Sequence, residues 1–124
     1  MKTPNWRALG AVLMLLGVAA GAFGAHGLRD AVAPELLSAW KTGAHYHLIH
    51  ALALIVIGSW TRTPTVAAWL LLVGIVLFSG SLYAMTLTGI RGLGAITPLG
   101  GLSFMAGWAA LAVAATKYPD PPGQ

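Results

Sequence analysis

Residues 63–90 read TPTVAAWLLLVGIVLFSGSLYAMTLTGI, running from Thr63 to Ile90 without a single Asp, Glu, Lys or Arg. An α-helix rises 1.5 Å per residue, so about 20 such residues cross a hydrocarbon layer roughly 30 Å thick. Outward from this run, Arg62 precedes it, Arg91 follows it, and three more uncharged stretches lie beyond them at 8–28, 42–61 and 92–116. Each is about as long as a membrane-crossing helix needs. Only 8% of the 124 residues are charged and 57% are hydrophobic, against about 25% charged in a domain whose surface faces water. This excludes a soluble enzyme and a disordered tail. Having no cysteine excludes a disulfide scaffold, a thiolate metal site and a cysteine nucleophile. The pattern predicts an all-α membrane protein: a four-transmembrane-helix antiparallel bundle forming a single integral membrane domain, 1–124, with spans at about 6–25, 36–60, 66–87 and 97–116.

Seven Lys and Arg against three Asp and Glu give a net charge of +4. The cations stand singly or in pairs at the ends of apolar runs, which is how membrane flanks look and not how a nucleic-acid patch looks. The expected partners are membrane lipids, another membrane protein or a second copy, and no nucleic acid. An even number of spans puts both termini on one side. That side receives Lys2, Arg7, Arg62 and Lys117, and the other receives Arg29, Lys41 and Arg91. The positive-inside rule then favours cytoplasmic termini. Ala20-Gly21-Ala22 resembles a signal-peptide cleavage site, but the apolar run before it exceeds a signal core and further spans follow. The first span is expected to stay in a chain that begins at or near Met1.

Pro34 suits the first position of a helix, with Glu35 in the first turn where the macrodipole favours an acid; one long helix is expected from Pro34 to about Trp60. Thr61-Arg62-Thr63-Pro64 is a tight turn that sets the second and third spans side by side and antiparallel. Gly89, Gly92 and Gly94 surround Arg91, and Thr97-Pro98 reads as a helix N-cap and first residue.

Helices in lipid approach most closely through small residues. At 100° per residue, Gly10, Gly17, Gly21 and Gly24 fall within about 60° of one another on the first span, and Gly17 with Gly21 makes a GxxxG pair. The fourth span carries Gly100, Ser103 and Gly107. Both stripes are expected to pack one span against another within the chain, with dimerisation as the competing use. Trp108, well inside the fourth span, needs an acceptor for its indole N–H.

All four histidines lie between residues 26 and 50, three of them in Gly43-Ala44-His45-Tyr46-His47-Leu48-Ile49-His50. Polar groups inside a membrane face the bundle interior or a cavity. His47 and His50 share a helical face, Tyr46 stacks one turn from His50, and His45 points away. Counting depth along the spans brings His26, Tyr46, His50, Ser81, Tyr83 and Thr97 to one half of the membrane, with Arg91 above them. They are expected to line one small polar pocket. Helix-to-helix hydrogen bonding explains such groups without any ligand. With carboxylates only near the surface, no metal site and no cofactor are expected, and no residues are assigned to catalysis.

Gly21-Ala-Phe-Gly-Ala-His-Gly-Leu28, Trp40, Tyr46 and His50-Ala-Leu-Ala-Leu54 resemble the small bacterial inner-membrane proteins of the YgdD type. So do Phe78-Ser-Gly-Ser-Leu-Tyr83, Ile96-Thr-Pro-Leu-Gly-Gly101 and Gly107-Trp108. That family has no assigned function and has transmembrane relatives in animals. The resemblance implies a multi-pass, four-span protein of the bacterial plasma membrane. It carries over His26, Tyr46, His50, Ser81, Thr97 and Pro98, while His45 and His47 fall where that family does not demand histidine. The expected role is a non-enzymatic accessory protein that binds lipid or a membrane partner. The alternatives are a small oligomeric transporter or channel, and an intramembrane histidine site for metal, haem or quinone.

Overall fold

The computed structural model describes residues 2–118. Five α-helices follow in order: α1 (Trp6–His26), α2 (Pro34–Gly58), α3 (Thr65–Gly74), α4 (Gly80–Thr88) and α5 (Thr97–Lys117). A π-helical turn, Ile75–Ser79, joins α3 to α4 as one rod, and a 3-10 turn, Arg91–Ala95, leads into α5. The side-chain oxygen of Asn5 accepts from the Ala8 N–H at 3.1 Å and caps α1. Pro34 opens α2 with Glu35 in its first turn. Gly89 closes α4 in the left-handed region, φ 73°, a conformation that costs glycine nothing.

Among the described residues, three helical segments are long and apolar enough to cross a membrane: Trp6–His26, Thr65–Thr88 and Arg91–Lys117. The sequence reading counted a fourth, α2. It has 25 residues, but Glu35, Lys41 and three histidines spread polarity over its first two-thirds. Of these, His47 and His50 are buried, while Glu35, Lys41 and His45 are exposed. Among the described residues, buried polar side chains are Ser79, Thr86, His50, His47 and Ser81, while Leu15, Leu16, Val66, Leu102 and Met105 are exposed. Buried hydroxyls and imidazoles beside large exposed apolar side chains suit a surface that faces lipid.

α2 is the hub. It packs against α1 on one flank and against the α3–α4 rod on another, and its side chains also reach α5. α5 lies along α3 and the π turn. On α1 the close contacts recur every seventh residue. A Cβ on Gly10 would lie 2.9 Å from the Ala51 carbonyl, one on Gly17 2.8 Å from Leu48, and one on Gly24 2.6 Å from Trp40. Seven-residue spacing is the period of a left-handed supercoil, whereas GxxxG belongs to right-handed crossings. Gly21 therefore drops out of the seam: a Cβ there would meet nothing within 4 Å. α5 uses the same period. Gly100 sits against the Phe78 backbone and Gly107 against Leu71, and between them Phe104 fills the hollow left by Gly74. Ser103 Oγ donates to the Leu70 carbonyl at 2.6 Å. Trp6, Leu54, Ile57, Ala68, Leu71, Ile75 and Phe104 form the core where these seams meet.

Candidate functional site

His47 and His50 lie one turn apart on α2, yet the 60° between them is enough to give them different neighbours. His47 points to the α1 side. Its Nε2 is 2.7 Å from the Leu13 carbonyl, and its Nδ1 is 2.9 Å from the Tyr83 hydroxyl. A carbonyl only accepts, so Nε2 carries the proton and donates, and Nδ1 receives the hydroxyl hydrogen of Tyr83. Gly17 makes this approach possible, since a Cβ there would stand 3.3 Å from the imidazole carbon Cδ2. One heptad away Trp40 repeats the device, its indole N–H donating to the Ala20 carbonyl at 2.7 Å across the hollow of Gly24.

His50 points to α5 and adopts the opposite tautomer. Its Nδ1–H donates to the Tyr46 carbonyl at 2.6 Å, and its Nε2 accepts from the indole N–H of Trp108 at 3.0 Å. The ring lies flat on Phe104, centroids 3.6 Å apart and planes 11° off parallel, with Tyr46 nearly parallel to it at 6.1 Å. Every ring nitrogen of both histidines is thus in use. A neutral imidazole so placed offers no lone pair to a metal or haem iron. Among the described residues, no group of three His, Asp or Glu is arranged to hold a metal ion.

The remaining polar groups pair locally. Ser79 Oγ donates to the Gly43 carbonyl at 2.7 Å, and Thr86 Oγ1 to the Leu36 carbonyl at 2.9 Å, tying the α3–α4 rod to α2. Ser81 and Thr97 hydroxyls meet at 2.6 Å, linking that rod to α5.

The single polar pocket expected from depth alone is corrected by this arrangement. Ser81 pairs with Thr97, Tyr83 with His47, and His50 with Trp108. His26, at the end of α1, and Arg91, in the 3-10 turn, are exposed and outside all three pairs. Depth fixes the level of a side chain but not the helix it faces. Thr97 is also not an N-cap: it sits inside α5, whose cap residue is Ile96, and spends its hydroxyl on Ser81. His47, absent from the expected set, makes two hydrogen bonds to other helices where His50 makes one. The signal for it was its seven-residue spacing from Trp40, opposite Gly17 and Gly24.

Tyr46 and His50 instead border an apolar groove of about 540 Å³ between α2 and α5, walled by Phe78, Phe104, Met105 and Trp108. A second stretch of about 300 Å³ continues it along Leu52, Val56, Ile57 and Leu111 to Trp60. The two share Ile49 and Trp108.

Residues 20–101 match the model of a family described as a protein of unknown function, DUF423. The UPF0382 membrane protein YwdK of Bacillus subtilis (strain 168) is 50% identical over 116 residues, covering 89% of this chain and 94% of its own. The chain belongs to the DUF423 family. A UPF0382 membrane protein of Staphylococcus haemolyticus is 46% identical over 114 residues, 89% of this chain and 93% of its own. No solved structure matches. The matched DUF423 region runs from six residues before His26 to the fifth residue of α5, and so holds Trp40, His47, His50 and Tyr83 together with the Ser81–Thr97 pair. The relatives are named as membrane proteins without an activity, so this DUF423 chain is a membrane protein of unassigned function.

Proposed function

We propose that the chain is a four-span, multi-pass protein of the bacterial inner membrane, of the YgdD type. It forms one domain, both termini are cytoplasmic, and its role is a non-enzymatic accessory one: binding lipid or a membrane partner through the outer face of α2 and α5. The observation that carries the reading is the open apolar groove between those helices, lined by exposed aromatic and aliphatic side chains and floored by a histidine whose hydrogen bonds are complete. α2 is the fourth span in this reading, its two buried histidines answered by α1, the α3–α4 rod and α5. Occupied ring nitrogens argue against metal or haem ligation. The glycine seams that an oligomeric channel would use are spent inside the chain at Gly10, Gly17, Gly24, Gly100 and Gly107.

Sedimentation and topology mapping test it. The chain should enter the pellet with membranes and leave it only in detergent. It has no cysteine, so single cysteines at Lys2 and Arg62 should react with an impermeant maleimide from the cytoplasmic side, and those at Arg29 and Arg91 from the opposite side. A chain that stays in the supernatant without detergent, or four positions that label from one side, overturns the reading.

A further inference from the structure

We propose that the α2–α5 groove and the cleft at its Trp60 end form one site for an anionic phospholipid, which rests on the lipid-binding reading above and names its headgroup class. Trp60 borders both the groove and a cleft of about 210 Å³ that also contains Arg62, Thr63 and Tyr118. An adjoining cleft of about 350 Å³ shares Thr63 and Tyr118 and adds Lys117. The Arg62 guanidinium lies over the Tyr118 ring, 5.2 Å from its centroid. A cation–π contact uses none of the guanidinium N–H donors, which stay available to a phosphate. Both acids of the described residues, Asp30 and Glu35, sit at the other end of the helices, and Asp120 lies outside the described residues.

The groove supplies the matching apolar half. From Ile49 to Gly58, the last residue of α2, is nine positions, about 14 Å at 1.5 Å per residue, and Trp60 lies just beyond. One leaflet of a hydrocarbon core is about 15 Å thick. A single acyl chain laid along Ile57, Val56, Ala53 and Ile49 would therefore reach Trp108 with its headgroup still level with Arg62 and Lys117. Trp60 stands at the junction, where an indole bridges the apolar layer and the headgroups. Cations at one end of a chain-length groove fit a phospholipid carrying net negative charge, and neither half fits a free anion or a hydrocarbon alone.

The test titrates full-length protein in mild detergent with dioleoyl phosphatidylglycerol, dioleoyl phosphatidylcholine or inorganic phosphate. Bound lipid is read by native mass spectrometry and the shift in unfolding temperature gives a second readout. Phosphatidylglycerol should bind about tenfold tighter than phosphatidylcholine with the same chains. The double variant Arg62→Gln/Lys117→Gln, at two exposed positions, should reduce phosphatidylglycerol to the level of phosphatidylcholine. Val56→Trp, which fills the groove from a half-exposed position, should weaken both lipids and preserve their ratio. Equal affinity for the two lipids, a preference that survives the double variant, or lipid binding untouched by Val56→Trp overturns the site. Inorganic phosphate binding as tightly as phosphatidylglycerol overturns the lipid in favour of a free anion. Lipid retained without headgroup preference defeats this site alone. Retention of neither lipid defeats the wider lipid-binding reading with it.

Discussion

The two flanks of α2 differ in what their histidines close. Toward α1, His47 donates to a main-chain carbonyl of one helix and accepts from Tyr83 of another, and Trp40 repeats the carbonyl contact one heptad away. Glycine hollows bring the backbones together there. Toward α5, His50 takes its proton acceptor from its own helix and makes one bond across, to Trp108, a residue 42% exposed. The same residue type on the same helix seals one flank and lines an open surface on the other. On the α1 flank His47 and Trp40 reach carbonyls beside Gly17 and Gly24, and on the α5 flank Trp108 meets the His50 ring at the edge of the groove. The α1 flank is closed by side-chain bonds to the main chain, and the open flank is where a ligand or partner can act.

Breaking the seams should rank them. Gly100→Ala should cost most, about 3 kcal/mol at the upper end of overpacking, because its Cβ would stand 2.7 Å from the Phe78 Cα and backbone yields less than a side chain. Equilibrium unfolding in mixed micelles reads the loss. A red shift of Trp108 emission should accompany it as α5 lifts from His50. Gly24→Ala meets the Trp40 ring, which can swing away at the expense of its bond to Ala20, so about 1–2 kcal/mol is expected. A larger loss at Gly24 than at Gly100 would mean the α1 seam is the stiffer one.

The histidines sharpen the contrast. His47→Leu strands the Tyr83 hydroxyl and removes a donor, and should cost about 1–2 kcal/mol. Adding Tyr83→Phe should recover part of that, with a coupling of about 1 kcal/mol in the double-mutant cycle. His50→Leu leaves only the half-exposed indole of Trp108 unpaired and should cost less, about 0.5–1 kcal/mol. Equal coupling in the His47–Tyr83 and His50–Trp108 cycles would erase the distinction between the flanks.

Much of this architecture is legible in the residues. Charge-free runs, Pro34, Gly89 and Pro98 place the helix ends within a few positions, because caps and breakers are local. The need of Trp108 for an acceptor is legible too, and so is the stacking of Tyr46 near His50. The identity of the acceptor is not, since nothing local to residue 108 specifies a neighbour on α2. The π turn at Ile75–Ser79 left no mark that an uninterrupted apolar run would reveal. The scattering of the polar groups into three pairs was hidden for a related reason: a helical wheel gives an angle on one helix, and pairing depends on the rotation of both. GxxxG misled for a geometric reason. At 100° per residue Gly17 and Gly21 lie 40° apart, while a left-handed seam drifts about 20° per heptad and follows Gly10, Gly17 and Gly24 instead.

Gly21→Ala carries the smallest expected effect and the cleanest decision about that seam. No atom lies within 4 Å of the Cβ it would add, so no contact is broken, and alanine holds a helix at least as well as glycine. The change should leave unfolding within about 0.5 kcal/mol of the parent, on the stabilising side. Size-exclusion in mild detergent should show the same particle. If instead the variant loses more than about 1 kcal/mol or changes its assembly, the lateral face of α1 at Gly21 is occupied by a second helix, and the GxxxG pair belongs to an interface between copies after all.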